Sequence, residues 1–518
     1  MPMLDIHLKF WDLAYRLVIR EGMRVVQFNN HADELWLEDD RCQRPKLIRL
    51  HRKDLDWRNE LKKSIDNTKE RAKKIKKSNG LHQANVYHII VSAYSPVDEW
   101  ESLVQTPLPL TVSSKKQEMK TIVLTDENIQ ETLYPLATEW ELNEVPSLVN
   151  PYYVDDPEQY IQMFRRHIKQ TMKQRIQQER NIFLYGRPVF TFGLLGVIFL
   201  MYMLTELEGG STSVKTLIDF GAKFNPLIQE GEWWRFISAM FLHIGFFHLF
   251  MNSLALFYLG GAVERIFGTS RFVFIYFIAG LTGSIASFVF NENISAGASG
   301  AIFGCFGALL YFGLRHKRLF FRTMGMNVIV ILAINLGLGF VVPMIDNGAH
   351  IGGLIGGFVA SAMIALPKNS HVKSQIGAWV LAPLALSILT AIGFLQEQGE
   401  EAYLPYVQVG QEQAMEEDFQ SARESVRKAL ANGVDEPEAY FVLANTEAAL
   451  EEYHDAKEHF QTVVNKDPSF HEAYYNLTLV YVELGQFNEA ESSIERALEI
   501  DSDNRQYRLL LEEIQQHQ

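Results

Sequence analysis

Apolar residues are not spread evenly along this chain of 518 residues. Residues 1 to 187 and 396 to 518 are polar, and the stretch between them is built from apolar runs. Crossing a bilayer takes roughly 20 apolar residues, fewer where neighbouring protein covers the shortfall. By that measure the runs predict helices near 188–206, 239–262, 271–290, 299–314, 325–343, 348–366 and 375–395. Seven crossings put the two ends of the chain on opposite sides of a membrane.

Basic residues set the orientation. Arg165, Arg166, Lys169, Lys173, Arg175, Arg180 and Arg187 precede the first run, and Arg265 and Arg271 lie between the second and third. Arg315, Lys317, Arg318 and Arg322 separate the fourth from the fifth, and Lys368 and Lys373 the sixth from the seventh. The alternate loops hold only Lys215, Lys223 and Arg235. The positive-inside rule therefore predicts a cytoplasmic N-terminus and an extracytoplasmic C-terminus in a cell membrane. Met1 to Arg24 mixes apolar and charged residues without a secretory leader pattern, so the first crossing is expected to direct insertion.

The flanks differ in character. After Gln396 the chain carries 27 Asp and Glu against 8 Lys and Arg, whereas the net charge of the whole chain is −14. That acidity disfavours nucleic acid as a partner and favours basic ones. It also contains a 34-residue period: Pro437–Phe470 and His471–Asn504 align Tyr440 with Tyr474, Leu443 with Leu477, Tyr453 with Phe487, Ala456 with Ala490 and Phe460 with Ile494. Residues 403–436 continue the register, and the pattern resembles tetratricopeptide repeats. Three such repeats bury a continuous core and commonly present a concave peptide-binding groove; a solvated acidic cap is the plainer alternative.

At the other end, an apolar-periodic helix over about 4–19 precedes candidate strands at 24–28, 34–37 and 46–50. A charged helix over about 54–77 and strands at 86–93 and 121–125 complete an α/β domain. This order is similar to nuclease-like folds, but no acidic-x-lysine signature occupies the third strand, which argues against a nuclease. His7, His31, His51, His82 and His88 are candidate metal ligands by type alone, and scattered histidines are ordinarily plain residues. The basic run from Lys69 to Lys77 reads as a solvated or headgroup-facing helix side. With only two cysteines, Cys42 and Cys305, no disulfide framework is expected.

Candidate chemistry lies in the apolar stretch. On this topology the second, fourth and sixth helices enter from the outer face, so His248, Asn252, Ser299 and His350 share one depth. The fourth helix has only about 16 apolar residues, reaching ~24 Å of a ~30 Å core, which sinks Ser299 below the outer surface under residues 291–298. Such a loop needs protein or water to satisfy its backbone, and hydrolysis needs that water. An oxyanion formed at Ser299 would meet the Ser299 amide at the helix N-terminus. His248 and Asn252, four apart on one helix face, would add side-chain donors. His350 would shuttle the proton as general base and acid. No carboxylate partner is evident, since Asp346 lies outside the helix, so a Ser-His dyad is expected, with Phe303 packing on the imidazole.

Plainer readings exist for each residue taken alone. Membrane serines ordinarily line helix contacts, His248 and Asn252 equally suit an interhelical hydrogen-bond pair, and a lone phenylalanine is ordinarily core or lipid-facing. The combination weighs against them, as do Gly300, Gly304 and Gly307 on one helix and Gly352, Gly353, Gly356 and Gly357 on the other. These are small-xxx-small spacings that let backbones approach closely.

Taken together, His248-x-x-x-Asn252, Gly297-Ala298-Ser299-Gly300 with Gly304, and Ala349-His350-Ile351-Gly352-Gly353 resemble the rhomboid intramembrane serine proteases. Trp234-Arg235 and Gly260-Gly261-Ala262-Val263-Glu264-Arg265 match too, and the resemblance covers about residues 180 to 395. It implies Ser299 as nucleophile, His350 as base, and His248 and Asn252 as oxyanion donors. Arg235 and Glu264 are implied as supports of the fold. Phe303 stands where some relatives have tyrosine, so only ring packing survives there. Expected substrates are transmembrane proteins cut near small residues beside an easily unwound helix, with no metal or organic cofactor.

The expected architecture is a polytopic α-helical membrane protein. Its parts are a cytoplasmic α/β domain over 1–180, a seven-helix rhomboid-like bundle over 181–395, and an extracytoplasmic α-helical tetratricopeptide repeat domain over 396–518. The expected activity is a serine endopeptidase acting in or next to a membrane helix. A scaffold that binds membrane proteins and passes them to a degradation machine is the alternative. A transporter lacks an inverted repeat or a charge at mid-membrane.

Overall fold

The computed structural model describes residues 2–29, 32–39, 41, 45–81, 83–111, 114–150, 154–367 and 372–517. His31, His82, Cys42 and Lys368 lie outside the described residues. The chain divides into two compact units, Met1–Ile182 with Arg318–Gly325, and Phe183–Lys317 with Met326–Gln518.

The first unit is built on a six-stranded sheet of order β1-β2-β3-β4-β6-β5. Its strands are β1 (Arg24–Asn29), β2 (Glu34–Asp39), β3 (Lys46–Arg52), β4 (Asn85–Val91), β5 (Leu108–Thr111) and β6 (Ser114–Leu124). The first three pair antiparallel in chain order. The Arg58–Ser78 helix then carries the chain across to β4, which pairs parallel with β3, as a crossover connection permits. Side chains alternate between two cores. Leu35, Leu37, Ile48, Leu50 and Ile89 face Trp11 and Leu17, whereas Trp36, Leu47, Val86 and Ile90 face Leu61, Ile65 and Ala72.

Glu34 on β2 is taken up by two arginines and a tryptophan. It receives Arg49 Nε at 2.7 Å, Arg71 Nη1 at 2.7 Å and Trp36 Nε1 at 3.0 Å. His7 faces Asp33 at 3.1 Å. Burial drives the His51 ring down to about 4 and holds His88 well below its ordinary value.

In the second unit each of the seven apolar regions is helical: Val189–Leu207, Gly245–Phe267, Thr269–Phe290, Ser299–Arg315, Gly325–Val341, Asn347–Ile364 and Val372–Leu395. Among the described residues five of them are individually long and apolar enough to cross a membrane, and Ser299–Arg315 is a shorter apolar helix. The second helix starts later than its apolar run suggests. Residues 239–241 form a 3-10 turn, Leu242 is extended with ψ 152°, and Gly245 has φ +75°, so the regular helix opens only there.

The Ser299–Arg315 helix lies at the centre of the bundle, buried along nearly its whole length. Its glycines account for that. A Cβ at Gly353 would overlap the Gly300 carbonyl, and one at Gly357 would overlap that of Gly304. Gly352 and Gly356 make the equivalent approach to Ala286 and Thr282 of the Thr269–Phe290 helix.

Beyond the bundle, three antiparallel helix pairs span Leu404–Ile500 and the Arg505–His517 helix covers the last of them. Leu443 and Leu477, Ala456 and Ala490, and Phe460 and Ile494 are buried at matching positions. Glu417, Glu451 and Gly485 all turn the chain with positive φ between 61° and 68°, repeating the sequence period in the backbone. The first pair shares its core with the loop after the first apolar helix: Ile218 and Phe224 pack among Tyr406, Val407, Val426 and Leu443.

Candidate active site

Four segments meet around Ser299. The chain arrives through Ser295, which pairs with Lys223 by backbone hydrogen bonds of 2.8 and 3.0 Å in opposite directions. Gly297 then donates to Ala239 O at 2.9 Å with φ +142°, a conformation that favours glycine. Ser299 opens the helix two residues later.

Space at Gly297 is occupied by the two predicted donors. A Cβ there would lie 2.8 and 2.9 Å from His248 Cε1 and Nε2, and 3.9 Å from Asn252 Nδ2. His248 Nδ1 accepts from the Ile244 amide at 3.4 Å, which in a neutral imidazole assigns the proton to Nε2. Asn252 Nδ2 donates to His248 O at 3.2 Å, and an amide nitrogen has a second hydrogen to offer. Donor faces of both residues are thus gathered beside the peptide that leads into Ser299.

His350 stands in the first turn of its helix and is 9% exposed. Asp346 caps that helix, accepting from the Ala349 amide at 2.9 Å and, at its other oxygen, from Ser287 Oγ. The His350 ring stacks on Phe303, centroids 4.0 Å apart and planes 13° from parallel. Gly300 touches the Ala349 carbonyl, with an ideal Cβ 3.3 Å from that oxygen. The helices carrying Ser299 and His350 therefore meet at two points, through the residue next to each and through a ring one turn along the Ser299 helix. Ser299 also opens into a small cavity lined by Lys223, Ser284, Ser287, Ser295 and Ala349.

Arg235 and Glu264 brace the surroundings. Arg235 is 4% exposed and donates to Ile218 O at 2.6 Å and Ala222 O at 3.1 Å, closing the loop after the first apolar helix. Glu264 is fully buried and accepts from the Phe190 and Thr191 amides, Thr191 Oγ1 and Thr269 Oγ1 at 2.7 to 2.9 Å. It anchors the N-terminal turn of the first apolar helix to the second.

Two further residues went unmarked as site residues in the sequence. His243 is fully buried, its ring 5.2 Å from that of His248. Lys223, which counts in the sequence only as a loop cation, is 1% exposed, and burial brings its ammonium down to about 8. Its position two residues after Gly221 and ahead of Pro226 gives no signal of burial.

The chain is similar to known proteins in its central and C-terminal parts. Residues 230–367 match the Rhomboid domain family, and residues 447–514 match a tetratricopeptide repeat family. The chain is 42% identical over 390 residues to "Rhomboid protease GluP" of Bacillus subtilis (strain 168), covering 74% of this chain and 73% of that protein. It is 34% identical over 188 residues to "Putative rhomboid protease YdcA" of the same organism, covering 36% of this chain and 92% of the relative. It is 40% identical over 169 residues to "RHOMBOID-like protein 5" of Arabidopsis thaliana, covering 32% and 54%. With a bundle of apolar helices in the middle, a mixed sheet domain before it and helical repeats after it, this chain belongs to the rhomboid family of intramembrane serine proteases.

Proposed function

We propose that Ser299 is the nucleophile and His350 the general base of this protease, acting as a dyad. Ser299 Oγ attacks the scissile carbonyl while His350 takes its proton, then returns that proton to the leaving amine. Water released from bulk into the polar cavity hydrolyses the acyl-enzyme by the same route in reverse. The tetrahedral oxyanion is held by the Ser299 amide, His248 Nε2–H and Asn252 Nδ2–H. Phe303 fixes the ring plane of His350, and Arg235 and Glu264 act on the fold alone.

One observation carries this reading: the Phe303 ring, one turn after Ser299, lies flat against His350, while Gly300 abuts Ala349. Ser299→Ala tests it. The purified chain in liposomes should lose all cleavage of a transmembrane reporter while still binding it. Retained cleavage would reject the assignment, and binding without Ser299-dependent cleavage of any membrane protein would favour a scaffold.

We further infer that residues 1–180 lie in the cytoplasm, 181–395 in the membrane and 396–518 outside. The distribution of Lys and Arg supports this orientation. So does the core shared by Phe224 and Tyr406, because a loop after the first crossing and a domain after the seventh occupy one side. Substrates are membrane proteins with helix-destabilising residues near the cut, and the acidic repeats suit a basic peptide segment of such a substrate or of an assembly partner.

A further inference from the structure

Lys223 is the one charged side chain lining the cavity into which Ser299 opens, among the described residues. An ammonium has three donors, and here they meet three oxygens: Asn225 Oδ1 at 3.1 Å, Asn291 O at 2.6 Å and Asn293 O at 2.8 Å. The peptide of the same residue pairs with Ser295 in both directions. One residue thus grips the 291–295 segment at its beginning, middle and end, directly ahead of Gly297 and Ser299.

The charge reaches further than the hydrogen bonds. Asp346, which caps the helix carrying His350, is held in its ionised form chiefly against burial by the Lys223 cation, with help from Ser287, the Ala349 amide and Ser295. Glu292 is the other carboxylate whose field acts on Lys223. A neutral amide, with two N–H donors, would serve two of the three oxygens. Only a cation also favours the carboxylate form of the cap across the cavity.

We propose that Lys223 is a positioning residue for proteolysis, holding the segment that leads to Ser299 and the Asp346-capped start of the His350 helix in one frame. This rests on Ser299 and His350 being nucleophile and base. Displacing either wall moves hydroxyl against imidazole, and a misplacement of about 1 Å in such a pair costs on the order of a hundredfold in rate. On this reading Lys223 acts on the frame and not on the substrate, so KM is expected to hold.

The test uses the full-length chain in liposomes with a transmembrane reporter peptide, and labelling of Ser299 by a fluorophosphonate as a second readout. Lys223→Met is expected to lower kcat at least about tenfold with KM changed less than about twofold, and to slow labelling in parallel. Asp346→Asn keeps a capping side chain but removes the charge, and is expected to lower kcat as well. Combining the two should cost less than the product of the single losses, because each removes the same coupling. Where Lys223→Met does not assemble, Lys223→Gln, which keeps a donor, takes its place. Wild-type kcat in the neutral variants, losses that multiply independently, or failure of both neutral variants to fold each overturn the proposal. Survival of cleavage in Ser299→Ala would instead sink the nucleophile assignment beneath it.

Discussion

His350 and Phe303 stack at 4.0 Å, ring on ring, although they belong to different helices. An imidazole that accepts and returns a proton must keep its ring plane while its charge changes, and a flat aromatic contact restrains rotation without consuming either nitrogen. Phe303→Leu should therefore lower kcat roughly fivefold, the size expected when a contact of about 1 kcal/mol is lost in the transition state, and leave KM nearly unchanged. Phe303→Tyr should retain most activity. Steady-state cleavage of a reporter peptide measures both.

The donors at Gly297 predict a second kinetic pattern. His248→Ala and Asn252→Ala should each reduce kcat by about 10²- to 10³-fold, as removal of an oxyanion donor does, with little change in KM. If the pair merely bridges helices, the loss will appear as a lower melting temperature with normal kcat in the surviving folded protein.

Packing at the two central helices can be probed apart from chemistry. Gly353→Ala places a methyl group into the Gly300 carbonyl and should destabilise the bundle by about 1–3 kcal/mol, or force the helices apart with loss of activity. Gly196→Ala, in open space on the first apolar helix, should cost nothing measurable and serves as its control. Thermal unfolding in detergent distinguishes them.

Glu412 ties the repeats to the loop after the first crossing. Its carboxylate accepts from the Val214 and Lys215 amides at 2.9 and 3.0 Å and from Ser213 Oγ at 2.6 Å, filling the N-terminus of the Val214–Asp219 helix. Glu412→Ala should weaken that end by about 1–2 kcal/mol, read as faster amide exchange at residues 213–216 with the rest of the repeat array unchanged.

Within the repeats, His459 lies 2.6 Å from the buried carboxylate of Glu447, and that hydrogen bond raises the imidazole above its ordinary 6.5. The charged form is favoured in the folded state. Its stabilisation is fully present below pH 6.5 and is lost as pH rises through the raised folded value. Amide protection of the Tyr453–Lys466 helix should fall across that window in the wild type and stay flat in His459→Gln.

Much of this architecture was legible in the chain because each feature has a short-range cause. The 34-residue period fixed the repeat helices, and the apolar runs marked the seven helical regions. The glycine spacings on either side of Ser299 and His350 pointed to the close approach that the backbone makes. Other features depend on contacts distant in sequence. Residues 239–244 are as apolar as the helix that follows, and only the extended backbone at Leu242 and the turn at Gly245 delay its start. Strand β5 and the helices Ile129–Glu139 and Pro157–Phe183 are absent from the sequence expectation, although Ile161, Phe164 and Ile168 are spaced for one buried helix face. The burial of Lys223 is set by carbonyl groups some seventy residues away, which no local pattern encodes.

The ring of Tyr406 rests edge-on against Phe224, 5.0 Å away, inside a core common to the repeats and the loop beside the cavity that Ser299 lines. A domain joined in this manner cannot swing freely at the end of a string. It is a bracket, and a strand of cargo seated along it would be presented to the enzyme at one fixed bearing instead of being left to find the entrance by diffusion.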